Sequence, residues 1–223
     1  MDIFSLINYK CIIIIIILVL FNILDKNYNL IKMNDNNNNN NNNYDNTIYF
    51  YDETGIKTKK EHIFLNNYDP AKFVANDNFT YITSEHYYQA HKFDDYDENP
   101  DHKAKFEEIR SKLTPDETKK LAHKYEKASD SKFNSKRWHD GYKETIMKKA
   151  LIYKFSQNKD MLERLVQTGK AKLVEESNND LYWGGLVDGS KNRLGDLLME
   201  LRDNYVKDGV IYIEGSGLEK IKF

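Results

Sequence analysis

The stretch Tyr81 to Phe93, YITSEHYYQAHKF, gathers a carboxylate, an amide, two histidines and neighbouring tyrosines into a few turns of chain. Thr83 or Ser84 is suited to cap a helix over 83–92. Glu85 then falls in its first turn, where unpaired amides and the helix dipole favour negative charge. On such a helix Glu85 and Gln89 stand one turn apart, as do Tyr88 and His91 at a spacing of three. A carboxylate and an amide converging beside aromatic rings suit acid–base work or the stabilisation of a cation. The same residues also fit a packing helix, with tyrosines and a histidine in the core and Glu85 as a solvated acid.

A second group lies in LVEESNNDLYWGGL, where Asp180, Trp183 and Gly184 follow Glu175. Glycine lets the backbone approach closely and an indole gives stacking area, so the segment fits one wall of a ligand pocket; it equally fits a tryptophan closing the end of a core. Trp138 poses the same choice. Asn192 is placed either to cap the last helix or to present its amide to a ligand. Lys143 lies four residues before Met147, close to the apolar face of a central helix.

Several chemistries are excluded. Cys11 is the sole cysteine and sits in an apolar run, so the globular part has no disulfide framework, cysteine nucleophile or cysteine-based metal site. Glu85-His86-x-x-Gln89 lacks the histidines of a zinc helix, and His86 and His91 are five apart, so no metal is expected. The glycines form neither dinucleotide nor phosphate-loop fingerprints, and G-x-S-x-G is absent. With 33 Lys plus Arg against 35 Asp plus Glu, the charge of -2 gives no field that selects a polyanion.

The elements that must position these residues run strands first, helices afterwards. TIYFY at 47–51 reads as a strand, HIFLNNY at 62–68 as a second short apolar segment ending at Pro70, and 79–82 as a third extended piece. Asn99 before Pro100 predicts a capped helix over 100–112 with Phe106 and Ile109 inward. Thr114-Pro115-Asp116-Glu117 predicts a capping box opening a helix to about 128, with Leu121, Ala122 and Tyr125 buried and its lysines on a solvated face. Gly141 marks a break. Residues 142–155 form the clearest amphipathic pattern, with Ile146, Met147, Ala150, Leu151 and Phe155 inward. A short helix over 160–168 stops at Gly169, a strand follows at 172–175, a loop at 176–192 turns at Asp188-Gly189, and Leu194 to Leu201 marks the last helix. The tail 205–223 reads as peripheral, with an extended piece at 210–213.

Ahead of these lies CIIIIIILVLF at 11–21, extended by Ile23 and Leu24. It is shorter than the roughly 20 residues of a bilayer-spanning helix. Residues 1–32 thus read as an apolar leader, either a signal anchor or a signal peptide, with membrane association through residues 11–24; a buried strand fits the same run, and a start at Met33 would remove it. Residues 33–46 are an Asn-rich linker with nothing to bury, disordered by composition. The chain is expected in the cytoplasm if the leader is not a targeting segment and at a membrane if it is.

SEHYYQAHKF with Asn67 ahead of it, Trp138 with KETIMKKALIYKFSQN, TGKAKLVEESNNDLYWGG and KNRLGDLLMELR resemble, in order and spacing, the NADAR or YbiA-like family. The resemblance covers 47–204. It implies an α+β fold, a mainly helical single compact domain with a few short strands. It implies an N-glycosidase that hydrolyses the ribosyl-amine bond of phosphoribosylaminopyrimidine intermediates of riboflavin biosynthesis. The alternatives are removal of ADP-ribose from guanine in nucleic acid, or a non-catalytic binder of ribosylated nucleotides. Glu85, Lys143 and Asp180 take the catalytic positions. Asn67, Tyr88, Gln89, Trp138, Trp183, Gly184 and Asn192 make up the substrate-binding set, with Tyr88, Trp138 and Trp183 sandwiching the base. The partner is a small ribosylated pyrimidine phosphate; no cofactor is required. Lys143 is expected either to neutralise a phosphate or to attack the anomeric carbon as an uncharged amine.

Overall fold

In the computed structural model, residues 46–130 and 132–205 are described with their side chains, and 206–208, 210–211 and 221–222 by their backbone. The apolar run at 11–24 and the Asn-rich segment up to residue 45 lie outside the described residues. Among those described, no helix is long and apolar enough to cross a membrane.

The first strand, β1 (Thr47–Phe50), enters the core at Phe50, which is fully buried. The apolar segment expected to be extended at 62–68 is instead a 3-10 helix, Lys60–Leu65, with Phe64 and Leu65 inward. Its hydrogen bonds close locally, from His62 N to Lys59 O and from Asn66 N to Ile63 O, whereas an extended form would need a neighbouring strand for those groups. A minimal antiparallel pair follows, β2 (Phe73–Val74) with β3 (Thr80–Tyr81); only the second was foreseen. Phe73 lies between the rings of Tyr81 and Tyr153, both stacked on it.

Helix α1 (Ser84–Ala90) is capped by Thr83, whose Oγ accepts from His86 N, and every one of its residues is buried. It packs against three helices: α2 (Asp101–Arg110), α3 (Pro115–Lys127) and α4 (Lys143–Gln157). Asn99 does not cap α2 with its side chain; its amide donates to Asp95 at 3.0 Å, and the helix starts behind Pro100. The capping box of α3 forms as the sequence predicts, with Thr114 and Glu117 exchanging side-chain and backbone bonds.

Gly141 breaks the chain ahead of α4 with φ of +101°, a conformation costly for a residue bearing a Cβ. Helix α4 keeps the five inward residues expected of it, but it is not amphipathic along its length. Every residue from Ala150 to Phe155 is buried, so the helix runs through the middle of the domain. Helix α5 (Lys159–Gln167) ends at Gly169 and leads into β4 (Lys172–Glu175).

Strand β4 pairs in parallel with β1, Thr47 opposite Lys172 and Phe50 opposite Glu175. The two ends of the domain therefore meet in one ladder whose strands are separated by nearly all the helices. Helix α6 (Arg193–Asp208) packs on β4, and β5 (Val210–Ile211) pairs with β6 (Ile221–Lys222) in the tail. The fold is α+β and mainly helical.

Candidate active site

Glu85 begins at the capped turn of α1, which carries it straight into the core. Its backbone N–H donates to Asn67 O at 3.1 Å, and its carboxylate accepts from Asn67 Nδ2 at 2.5 Å and Gln89 Nε2 at 2.6 Å. It is 3 % exposed, so the solvated-acid reading of the first turn does not apply. Burial pushes its carboxyl pKa upward, and the Gln89 amide works against that shift. The loop that presents Asn67 is itself pinned from below, because the buried ammonium of Lys154 donates to Asn66 O at 2.7 Å. Both histidines of this stretch are structural: His86 on α1 bridges Thr83 Oγ1 and Lys112 O, and His91, just past the end of α1, meets Tyr87 O at 2.8 Å.

The end of β4 carries two adjacent glutamates into opposite settings. Glu176 turns toward 56–58 and accepts from the backbone N–H groups of Ile56, Lys57 and Thr58 and from Thr58 Oγ1. Burial opposes its charge, but these donors hold its carboxyl below the usual range. Glu175 turns the other way. Its side chain is 7 % exposed, its Oε2 is buried without a hydrogen-bond partner among the described residues, and burial raises its pKa to about 8, with Asp180 and Glu85 adding to the shift.

The loop after β4 is held by its own polar groups. Asp180 Oδ1 accepts from the N–H groups of Tyr182 and Trp183, both at 2.9 Å, a turn that asparagine and aspartate build readily. A Cβ on Gly184 would stand 2.6 Å from Asp180 O, so glycine there serves the closeness of the turn. Asn192 neither caps α6 with its side chain nor faces the cleft. Its Oδ1 accepts from Glu175 N at 3.1 Å and its Nδ2 donates to Leu173 O at 2.8 Å, so it brackets β4 against the loop.

Tyr88 and Trp183 form an aromatic corner, with ring centroids 5.6 Å apart at 88° and the indole N–H donating to the Tyr88 hydroxyl at 3.3 Å. Trp138 stands behind it, 5.0 Å from the Tyr88 ring, and backs the corner without lining the cleft. Lys143 opens α4 outside the lining as well. Its Nζ lies 3.3 Å from the centroid of the Tyr182 ring, so the surface that desolvates it is that tyrosine rather than Ile146 and Met147; the desolvation lowers its pKa. Tyr182 in turn hydrogen-bonds Glu144, which also takes Arg193 at 3.0 Å and so ties the start of α4 to the start of α6.

These groups surround a cleft of about 630 Å³. Of the sequence-predicted residues, Asn67, Glu85, Tyr88, Gln89, Asp180 and Trp183 line it, whereas Trp138, Lys143, Gly184 and Asn192 stand behind or beside it. Sequence reasoning missed the opposite wall. Lys119, Lys120 and His123 on α3 face the cleft, where the sequence predicts only a solvated face, and Lys92 joins them, buried and 3.1 Å from Glu126. The signal available was the spacing of 119, 120 and 123, which puts those side chains on neighbouring faces of one helix.

A family model for the NADAR domain matches residues 49–205. The N-glycosidase YbiA of Escherichia coli K12 is 43% identical over 131 residues, covering 58% of this chain and 74% of that protein. An N-glycosidase of Nostoc punctiforme is 33% identical over 158 residues, 70% of this chain and 91% of its own. The chloroplastic riboflavin biosynthesis protein PYRR of Zea mays is 38% identical over 127 residues, 56% of this chain but 20% of that protein. Among solved structures, the NMR structure of E. coli YbiA is similar with a TM-score of 0.58 at 34% identity, covering 74% of this chain and 88% of that one.

Proposed function

Because the chain belongs to the NADAR family, we propose that it is an N-glycosidase whose substrates are phosphoribosylaminopyrimidine intermediates of riboflavin biosynthesis. The observation that carries this reading is Glu85, a buried carboxylate held on both oxygens by amides and lining a cleft with an aromatic corner. Breaking a ribosyl-amine bond develops positive charge at the anomeric carbon. A preorganised carboxylate stabilises that charge or directs water to it, and does so most strongly where solvent is excluded. Tyr88 and Trp183 offer ring surface to a planar base. Lys92, Lys119 and Lys120 supply the positive wall that a sugar phosphate requires. Asp180 lines the same cleft and serves the ribose hydroxyls, while Lys143 sits at its margin as either a charge for the phosphate or a nucleophilic amine. The maize relative's riboflavin biosynthesis name supports the substrate class.

The experiment incubates the full-length protein separately with the ribosylaminopyrimidine phosphate and with ADP-ribosylated guanine DNA, following base and sugar release by mass. Release of aminopyrimidine and ribose phosphate is expected. Release of ADP-ribose alone would move the substrate to modified nucleic acid, and binding without release in either arm would reject the enzyme reading.

A further inference from the structure

The cleft contains a second buried acid that the reading above does not use. Glu175 arrives at the end of β4, opposite Phe50 in the ladder, and Asn192 fixes its backbone N–H. Its Oε2 has no hydrogen-bond partner among the described residues, although Glu176 beside it collects four donors. Burial without a donor disfavours the charged carboxylate far more than the neutral acid. Gln89 Oε1, on a residue that also lines the cleft, is a second buried atom without a hydrogen-bond partner among the described residues. One orphaned acid and one orphaned acceptor in a single cleft suit a ligand that carries a nitrogen with both a lone pair and a hydrogen.

We propose that Glu175 is the general acid of the reaction, protonating the amine nitrogen that leaves the sugar while Gln89 Oε1 accepts its N–H. This rests on the glycosidase reading. Glu85 and Glu175 are thereby given different tasks, because amide donors on both oxygens of Glu85 favour its charged form against the burial that raises its pKa, whereas Oε2 of Glu175 has no such donor among the described residues and burial favours its protonated form. The bond between the anomeric carbon and nitrogen breaks with its electron pair remaining on nitrogen. The Glu175 proton goes to that nitrogen, which leaves as a neutral amine. Water adds to the anomeric carbon and gives its proton to Glu85; return of one proton to Glu175 through solvent closes the cycle with one water consumed. The charged and titratable groups facing Glu175 are Tyr51 after β1, Tyr68 before β2, Glu85 on α1, Lys119 on α3 and Asp180 in the loop. Helices α4 and α6 contribute Met147 and Leu194, which carry no charge. Of these groups the carboxylates resist loss of the Glu175 proton and Lys119 favours it.

The test uses the full-length protein, wild type and Glu175→Gln. Wild-type kcat/KM on the ribosylaminopyrimidine phosphate should fall as pH rises through about 8. E175Q should lose that alkaline limb and about 100-fold in kcat, with KM within threefold, a scale usual for loss of a general acid. A limb unchanged in E175Q overturns the assignment, whereas a wild type with no turnover on any ribosyl-amine sinks the underlying glycosidase reading instead. Should E175Q fail to fold, carbon NMR of wild-type and E85Q protein labelled at glutamate carboxyls decides the matter. A carboxyl titrating near pH 8 in the wild type and, with the Glu85 charge removed, still above the ordinary carboxylate range in E85Q supports Glu175. Its absence from the wild type, or an E85Q protein in which every glutamate titrates in the ordinary range, overturns the proposal.

Discussion

Asn67 and Glu85 bind each other twice, side chain to side chain at 2.5 Å and backbone N–H to backbone carbonyl at 3.1 Å. The pair joins a loop to the first turn of α1 and leaves the carboxylate one fixed orientation. Glu85→Gln keeps the shape and removes the charge. Loss of one preorganised electrostatic contact should lower kcat on the order of 100-fold or more. Thermal unfolding should hold its midpoint or rise, because a buried anion is replaced by an amide. Near-normal turnover by folded E85Q would reject the carboxylate's role.

Lys143 stands over the Tyr182 ring with its charge disfavoured by burial. If it forms an imine with the opened sugar, borohydride added during turnover should leave a reduced sugar adduct on this lysine, and Lys143→Arg should abolish both adduct and turnover. A guanidinium stays protonated and cannot take the nucleophilic role. If it serves the phosphate instead, no adduct forms and K143R shows a milder loss carried mainly by KM. Mass mapping of the trapped protein separates the two.

Lys154 is fully buried and hydrogen-bonded to Asn66 O, and burial lowers its pKa to about 7. The folded state therefore gives up this proton before the unfolded chain does, and stability gains from rising pH. The contribution is complete above the unfolded lysine value of about 10.4 and is lost as pH falls through 7. Urea unfolding of wild type and Lys154→Met at neutral and alkaline pH should show the wild type gaining on the variant as pH rises. A constant difference would mean that Lys154 titrates alike in both states.

Gly195 lies where α6 crosses β4, and a Cβ there would stand 2.1 Å from Leu173 O. Backbone is on both sides of that contact, so neither can swing away. Gly195→Ala should destabilise the domain by about 3 kcal/mol, the upper range of overpacking, despite alanine's better helix propensity. Denaturant unfolding checks this, and a stabilised variant would show that the helix moves freely on the strand.

Much of this protein is decided by its sequence alone, wherever the deciding interactions are local. The Thr114-to-Glu117 box, the Thr83 cap that sets Glu85 in a first turn and the breaks at Gly141 and Gly169 depend on neighbours within a turn or two, and they form as read. The grouping of Glu85 with Gln89 is legible for the same reason, since one helical turn guarantees it.

What only the tertiary structure decides is what surrounds those residues. Composition cannot say that 60–65 curls into a helix for want of a strand partner, or that 150–155 is covered on every side. Periodicity describes a face, and whether that face meets water or a cleft depends on elements far away in the chain; the lysines of α3 and the bracket made by Asn192 were misjudged on that account. The contrast between Glu175 and Glu176 is the sharpest case. They are adjacent and chemically identical, and the pleat of a strand sends one to three backbone N–H groups and the other into the cleft, where its Oε2 meets no donor among the described residues.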